Sequence, residues 1–437
     1  MSRMAQHRSL IKALYAAAIN AADPVSAVER SLALRGNTLT VGARSLELTG
    51  RVVVVSIGKA AARMATGAAS ALGDKAEQGI VITKYGHAEG ALDRRFMVRE
   101  AGHPIPDNAG AAATREMLDL ITSLNPEDIV LALISGGGSA LCEAPLPPVT
   151  LDDMADLTGK LLSAGAPIQD LNAVRVPLSS VKGGKLRAAS PAGHFVTLLL
   201  SDVLGNSPEV IASGPTVASR FSRTGARDMV LRYVTWEDVP VNIRCLLNQN
   251  EEVLPQHLFE GDVVEVIADN GIAVDSAAAE AATRNWLVQV AWRNAEGEAR
   301  QLGRKWARMI AETSDVDLLI GGGEATVTVQ GDGQGGRNTE FALAAAIELE
   351  RLKLENWVVA SLATDGQDAL TESAGAIVSS GTARKLRGAG LDAEAMLDQN
   401  DSATALLAAG DLFSPGPTGT NVNDLFFAVR VDENRRN

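Results

Sequence analysis

Residues suited to holding an anion cluster at the ends of five predicted strands: Gly58-Lys59, 135–139, Ser201-Asp202, 321–324 and Thr364-Asp365-Gly366. Open α/β sheets bind ligands beyond the carboxyl ends of their strands, so these are the positions to read first. Ser135, Gly136, Gly137, Gly138 and Ser139 form a glycine turn expected to enter a helix. Glycine lets the backbone approach an anion, and the first helical N–H groups point at it. No Lys-Ser/Thr closes the turn, so it is not a Walker A loop, and it is not GxGxxG. Gly321, Gly322, Gly323 and Glu324 repeat the strand-then-glycine form. The glycine-rich loop 331–340 delivers Arg337 and Asn338 to a helix start, where an Arg can grip a carboxylate or phosphate with two hydrogen bonds. A tight turn without ligand and a solvated loop Arg are the plainer alternatives.

Lys59 follows a buried strand at a helix start, where the macrodipole is already positive. A bound anion would remove that conflict; a solvent-facing lysine is the alternative. Asp202 and Asp365 end buried strands. Carboxylates there suit Mg²⁺ or general-base work on a hydroxyl, and otherwise helix capping or loop closure. The stretch 172–190 carries Arg175, Lys182 and Lys185 around Gly183-Gly184, and His103 opens a Pro-rich loop. Both fit substrate contact or ordinary surface roles. The five histidines make no metal pattern.

The elements that must position these groups alternate. Strand-like runs at 51–57, 79–83, 128–134 and 194–200 are separated by Ala-rich helical stretches. The second half repeats this, with strands at 262–268, 286–292, 317–320, 325–330, 357–363 and 425–431, and helices at 272–283, 297–313 and 339–349. A further helix is expected at 5–22. The fold class is therefore α/β, with mostly parallel or mixed sheets covered by helices. A chain of 437 residues with 46% hydrophobic content exceeds one ordinary core, so two domains are expected. The weakly periodic stretch around Pro240 and Pro255 places their boundary near residue 240.

Bulk charge excludes some partners. A formal net charge of −13 disfavours nucleic acid and anionic membranes, which need clustered Lys and Arg. An anionic substrate would need a local basic pocket, and Lys59, Lys84, Lys182, Lys185 and Arg337 are placed to supply one. The two cysteines, Cys142 and Cys245, sit in no zinc or disulfide pattern. No apolar run is long enough to span a bilayer, and 10–19 reads as an amphipathic helix rather than a signal peptide, so a cytoplasmic location is expected.

Taken in order, the motifs resemble the glycerate 2-kinase family, also called type II glycerate kinases. They are SIGKAA (56–61), GHPIPD (102–107), SGGGSAL (135–141), NAVR (172–175), VKGGKL (181–186), SDVLGN (201–206), IASGPT (211–216), GGGEATV (321–327), GGRNTEFAL (335–343), ATDGQD (363–368) and GPTGTNVNDL (416–425). The resemblance runs from about residue 5 to about residue 431. It implies a Rossmann-like α/β domain over 1–240 and a MOFRL-like α/β domain over 241–437, with the active site in the cleft between domains. It implies transfer of the ATP γ-phosphoryl group, with Mg²⁺, to the 2-hydroxyl of D-glycerate. Lys59 and Arg337 would then stabilise charge on the phosphoryl group and the substrate carboxylate. Asp202 would bind Mg²⁺ or accept the hydroxyl proton, Asp365 would serve as a metal ligand, and the glycine loops and Asn338 would hold the nucleotide.

The sequence departs from the family pattern at three places. Val176 and Pro177 stand where a basic residue and a His are usual, Asn206 where an Asp is usual, and Ala369-Leu370 where Gly-Pro is usual. These departures keep open a kinase of another small hydroxy or sugar acid. Two further alternatives are an NAD(P)H-dependent hydroxypyruvate reductase, which would need a nicotinamide site, and a non-catalytic metabolite sensor. A homodimer is left open.

Overall fold

The computed structural model of the protein describes residues 3–88, 93–250, 254, 256–369 and 371–431. Leu370 and Pro255 lie outside the described residues. The chain forms two compact units, one of Pro24–Ile267 and the other of Met1–Asp23 together with Ala268–Asn437.

The Pro24–Ile267 unit is built on a six-stranded sheet. Its order is Phe96–Ala101, Ala76–Lys84, Val52–Ile57, Ile129–Ile134, His194–Leu200, Val263–Ala268. The first five strands pair in parallel. Val52–Ile57 and Ile129–Ile134 are buried at every residue, as expected of central parallel strands covered on both faces. Helix Ala61–Leu72 follows the first of these. Helix Asn108–Thr122 is capped by Asp107, which accepts the Gly110 N–H at 2.8 Å. Helices Leu151–Ser163, Ile168–Leu178, Arg223–Val230 and Val241–Leu247 share a separate apolar cluster that includes Leu157, Leu178, Val230 and Ile243.

Two features of this unit depart from the sequence reading. Strands Leu32–Arg35, Thr38–Val41 and Arg44–Glu47 form an antiparallel meander. Each is only four residues long, too short for its alternation to stand out. The change of unit falls at Ile267/Ala268, whereas the sequence placed the boundary near residue 240. Pro240 is not in a linker; it precedes helix Val241–Leu247 inside the helical cluster. Asp262 ties the next strand to the same unit, accepting the Phe195 N–H at 2.8 Å and Arg187 Nε–H at 2.6 Å.

The other unit carries a mixed six-stranded sheet. Its order is Val288–Glu298, Leu318–Thr326, Asp424–Arg430, Trp357–Ala363, Gly375–Ser379, Leu412–Phe413. Only the first pair is parallel. Helix Arg337–Arg351 is buried along most of its length, and Phe341 stacks on Phe426 with ring centroids 4.5 Å apart. Helix Ala299–Ala311 lies close against it. A Cβ at Gly303 would stand 2.2 Å from the Phe341 carbonyl oxygen, so this approach requires glycine. The N-terminal helix, Arg3–Ala21, joins this unit although it is remote in sequence. Tyr15 Oη donates to the Ala363 carbonyl at 2.8 Å, and Ser276 Oγ donates to the Ala17 carbonyl at 3.1 Å. Among the described residues, no helix is long and apolar enough to cross a membrane.

Candidate active site

Two groups of polar residues stand out, one in each unit. In Pro24–Ile267, parallel register aligns Ile57 with Ile82 on one side and Ile134 on the other, and Ile134 with Leu199. The residues just past this row are Lys59, Lys84, Gly137 and Asp202. Gly58 turns the chain at φ +122°, and a Cβ there would stand 2.2 Å from Ser135 Oγ. The two loops are stitched together. Lys59 N–H donates to the Gly136 carbonyl at 2.9 Å, and Ala60 N–H donates to Ser135 Oγ at 3.1 Å.

The glycines of 135–139 make room for side chains from neighbouring strands. A Cβ at Gly136 would stand 2.2 Å from Asp202 Oδ2. One at Gly137, where φ is +83°, would stand 3.0 Å from His103 Cδ2 and 3.2 Å from Lys59 Cε. The loop is thus a floor onto which Asp202, Lys59 and His103 fold. Gly138 begins the short helix Gly138–Leu141. Ser135 is buried and Ser139 Oγ lies 2.9 Å from Ser213 Oγ, so both serine hydroxyls are used within the fold. Burial raises the Asp202 carboxyl above its ordinary pKa, against the opposing pull of the Lys59 charge.

Lys182 lies beneath this floor rather than on the surface. It is 1% exposed, donates to the Ser139 carbonyl at 2.9 Å and pairs with buried Glu143. Arg175 Nη2 is 3.9 Å from the same Glu143 oxygen. Lys185 Nζ donates to the Val176 carbonyl at 2.7 Å.

In the second unit, Arg337 is the first residue of helix Arg337–Arg351, and its Nε–H donates to Asp424 Oδ2 at 2.6 Å. Burial works against the guanidinium charge. The attraction and hydrogen bond of Asp424, with Asp368 and Asp365 beyond, outweigh it and raise the Arg337 pKa. Asp368 caps the same helix, accepting the N–H groups of Asn338 at 3.0 Å and Thr339 at 2.8 Å. Asn338 is buried. Its amide donates to Asp424 Oδ1 at 2.8 Å and accepts from Ser361 Oγ at 2.7 Å, so the side chain braces the carboxylates. Asp365 Oδ1 accepts the Gln367 N–H at 2.9 Å, closing its turn.

The expected glycine turn at 321–324 is instead strand. Gly321, Gly322 and Gly323 lie inside Leu318–Thr326, hydrogen-bonded to Asp424–Arg430. They serve close packing. A Cβ at Gly321 would meet the Trp306 ring at 3.1 Å, and one at Gly322 would meet Asn270 Oδ1 at 1.9 Å. Glu324 is exposed on the same strand. The fold therefore groups Lys59, Asp202 and 135–139, and groups Arg337, Asn338 and Asp365; the two expected metal ligands, Asp202 and Asp365, belong to different units. The sequence reading missed the grip of Asp424 and Asp368. An acidic residue in each of the ATDGQD and TNVNDL segments was the available signal.

No three His, Cys, Asp or Glu side chains converge as a metal cage among the described residues. Mg²⁺ typically takes one or two carboxylates plus substrate phosphates and retains water, and Asp202 fits that pattern.

Known families and proteins match this chain over most of its length. The family described as Domain of unknown function (DUF4147) matches residues 10–248, and the MOFRL family matches residues 317–424. A D-glycerate 2-kinase of Thermotoga maritima is 41% identical over 87% of this chain and 91% of its own length. A protein of Agrobacterium vitis, provisionally named a hydroxypyruvate reductase, is 38% identical over 96% of this chain and 93% of its own. The crystal structure of a glycerate kinase from Thermotoga maritima superposes with a TM-score of 0.87 at 38% identity, covering 97% of this chain and 99% of that one. With these identities sustained over both units, the chain belongs to the glycerate 2-kinase family.

Proposed function

We propose that this protein is a cytoplasmic kinase that transfers the γ-phosphoryl group of ATP to the 2-hydroxyl of D-glycerate. The observation that carries the reading is the convergence of Lys59 and Asp202 on the glycine floor 135–139. A cation, a desolvated carboxylate and an open backbone turn are what phosphoryl transfer to an alcohol requires, because positioning and charge stabilisation dominate that chemistry.

The Lys59 ammonium offsets charge on the transferring phosphoryl oxygens. Asp202 accepts the proton of the attacking hydroxyl as the new O–P bond forms and ADP leaves. Its raised pKa brings it nearer the range of an effective base. The 135–139 backbone faces the nucleotide phosphates. Arg337, held in one orientation by Asp424, supplies a fixed positive charge for phosphate or carboxylate. Mg²⁺ carried on the phosphates would supply further charge neutralisation.

Reduction of hydroxypyruvate is the second reading, and the name of the Agrobacterium vitis relative motivates it. Against it, the turn after Ile57 reads Gly58-Lys59-Ala60-Ala61, with no GxGxxG for a dinucleotide pyrophosphate. One pair of assays separates them: ADP release from ATP with D-glycerate, and NADH oxidation with hydroxypyruvate. Rapid ADP release without NADH oxidation supports the kinase. The reverse result overturns it.

A further inference from the structure

Three neighbouring parallel strands bring a third basic side chain to the edge where Lys59 stands. Lys84 follows Ile82 by two residues, as Lys59 follows its partner Ile57; Lys84 pairs with Ala101, and His103 lies two residues beyond. The His103 imidazole lies over the glycine floor. A Cβ on Gly137 would stand 3.1 Å from His103 Nε2 and 3.2 Å from Lys59 Cε, so ring and lysine flank one point of the loop. The ring is half-buried, and neither nitrogen hydrogen-bonds another of the described residues. Burial, followed by the charges of Lys59, Lys84 and His87, pushes its pKa down to about 4, so the imidazole is neutral near pH 7. A neutral imidazole still offers one N–H donor, and the neighbouring charges of Lys59 and Lys84 call for an anion. The phosphates have Lys59 and the glycine loop. The flank of Lys84 and His103 remains for the other anionic group of the reaction.

We infer that His103, with Lys84, holds the carboxylate of the hydroxy-acid substrate beside Lys59, making His103 a specificity-determining residue. This rests on the kinase reading above, and wild-type turnover with D-glycerate tests that reading first and separately. With turnover established, His103→Leu in the full chain is expected to raise the KM for D-glycerate by about 10-fold or more, the effect of losing a hydrogen bond to a charged group. Its kcat should change by less than about 3-fold, with the KM for ATP unmoved. His103→Gln keeps a donor and should recover most of the loss, which a merely structural role would not allow. Lys84→Met carries the same expectation and serves where His103→Leu does not fold. An unchanged KM for D-glycerate in these variants overturns the proposal. So does a rise confined to the KM for ATP, which would put a nucleotide phosphate at His103.

Discussion

Asp424 receives the Nε–H of Arg337 at 2.6 Å while fully buried itself, and its other oxygen takes the Asn338 amide at 2.8 Å. One carboxylate therefore fixes the first two residues of helix Arg337–Arg351. Removing the Arg337 charge and removing its anchor should resemble each other. Arg337→Ala is expected to lower kcat/KM by about 10² or more, as for other lost transition-state charges. Asp424→Asn, which keeps the shape, should lower it in the same direction with a smaller effect. Steady-state kinetics of both variants check this, and full activity in Arg337→Ala would remove that residue from the mechanism.

Lys59 is the corresponding cation of the other unit. Lys59→Ala is expected to lower kcat/KM by about 10² or more. The measurement is ATP turnover at saturating acceptor. Wild-type rates in this variant would leave the ammonium with no part in the chemistry.

Asp202 should show a trade between function and stability. Burial raises its folded-state pKa above the unfolded value. The folded state then binds the proton more tightly, so stability is lost as pH rises from the unfolded pKa through the folded one. Asp202→Asn removes the buried charge. It is expected to raise the melting temperature by about 2–4 °C at pH 7 while lowering kcat by about 10² or more. A lower melting temperature would show that the charged form is favoured in the fold.

The Lys182–Glu143 pair supports the glycine loop through the Ser139 carbonyl. Lys182→Met leaves the Glu143 charge buried, which is expected to destabilise the fold by about 3–5 kcal/mol in denaturant titrations. The double variant Lys182→Met, Glu143→Leu should recover much of this. Equal losses in the single and double variants would show that packing, not the orphaned charge, sets the effect.

The strand glycines make a contrasting case. Gly322→Ala would press on Asn270, whose amide donates to the carbonyls of Val422 at 2.8 Å and Asp424 at 2.9 Å. A loss of about 1–3 kcal/mol is expected from overpacking, with the KM for ATP of the folded enzyme unchanged. A weakened KM for ATP at unchanged stability would restore the glycine run to the nucleotide site.

Much of this was legible in the sequence because the signals are local. Buried runs such as VVVVSI and IVLALI end abruptly in Gly58 and in Ser135-Gly136, so the positions of Lys59 and 135–139 follow from strand logic alone. Glycine is ambiguous by the same logic. At 135–139 it turns the chain, while at 321–323 it stays in the strand because Trp306 and Asn270 press on it from the covering helices. Contacts between distant residues could not be read. Arg337 and Asp424 are 87 positions apart, and the N-terminal helix meets Ala363 across 348. The unit boundary was missed because Asp262 is bound by Arg187 and Phe195, partners that no local pattern connects to it.

On the proposed function, phosphate moves from ATP to the 2-hydroxyl of D-glycerate. The most direct test is to incubate the full chain with ATP, Mg²⁺ and D-glycerate and read the position of the product's phosphate by phosphorus NMR. The expected result is a 2-phosphoglycerate signal that grows with ADP. Phosphate on the 3-hydroxyl, or no product while another hydroxy acid is phosphorylated, would contradict it.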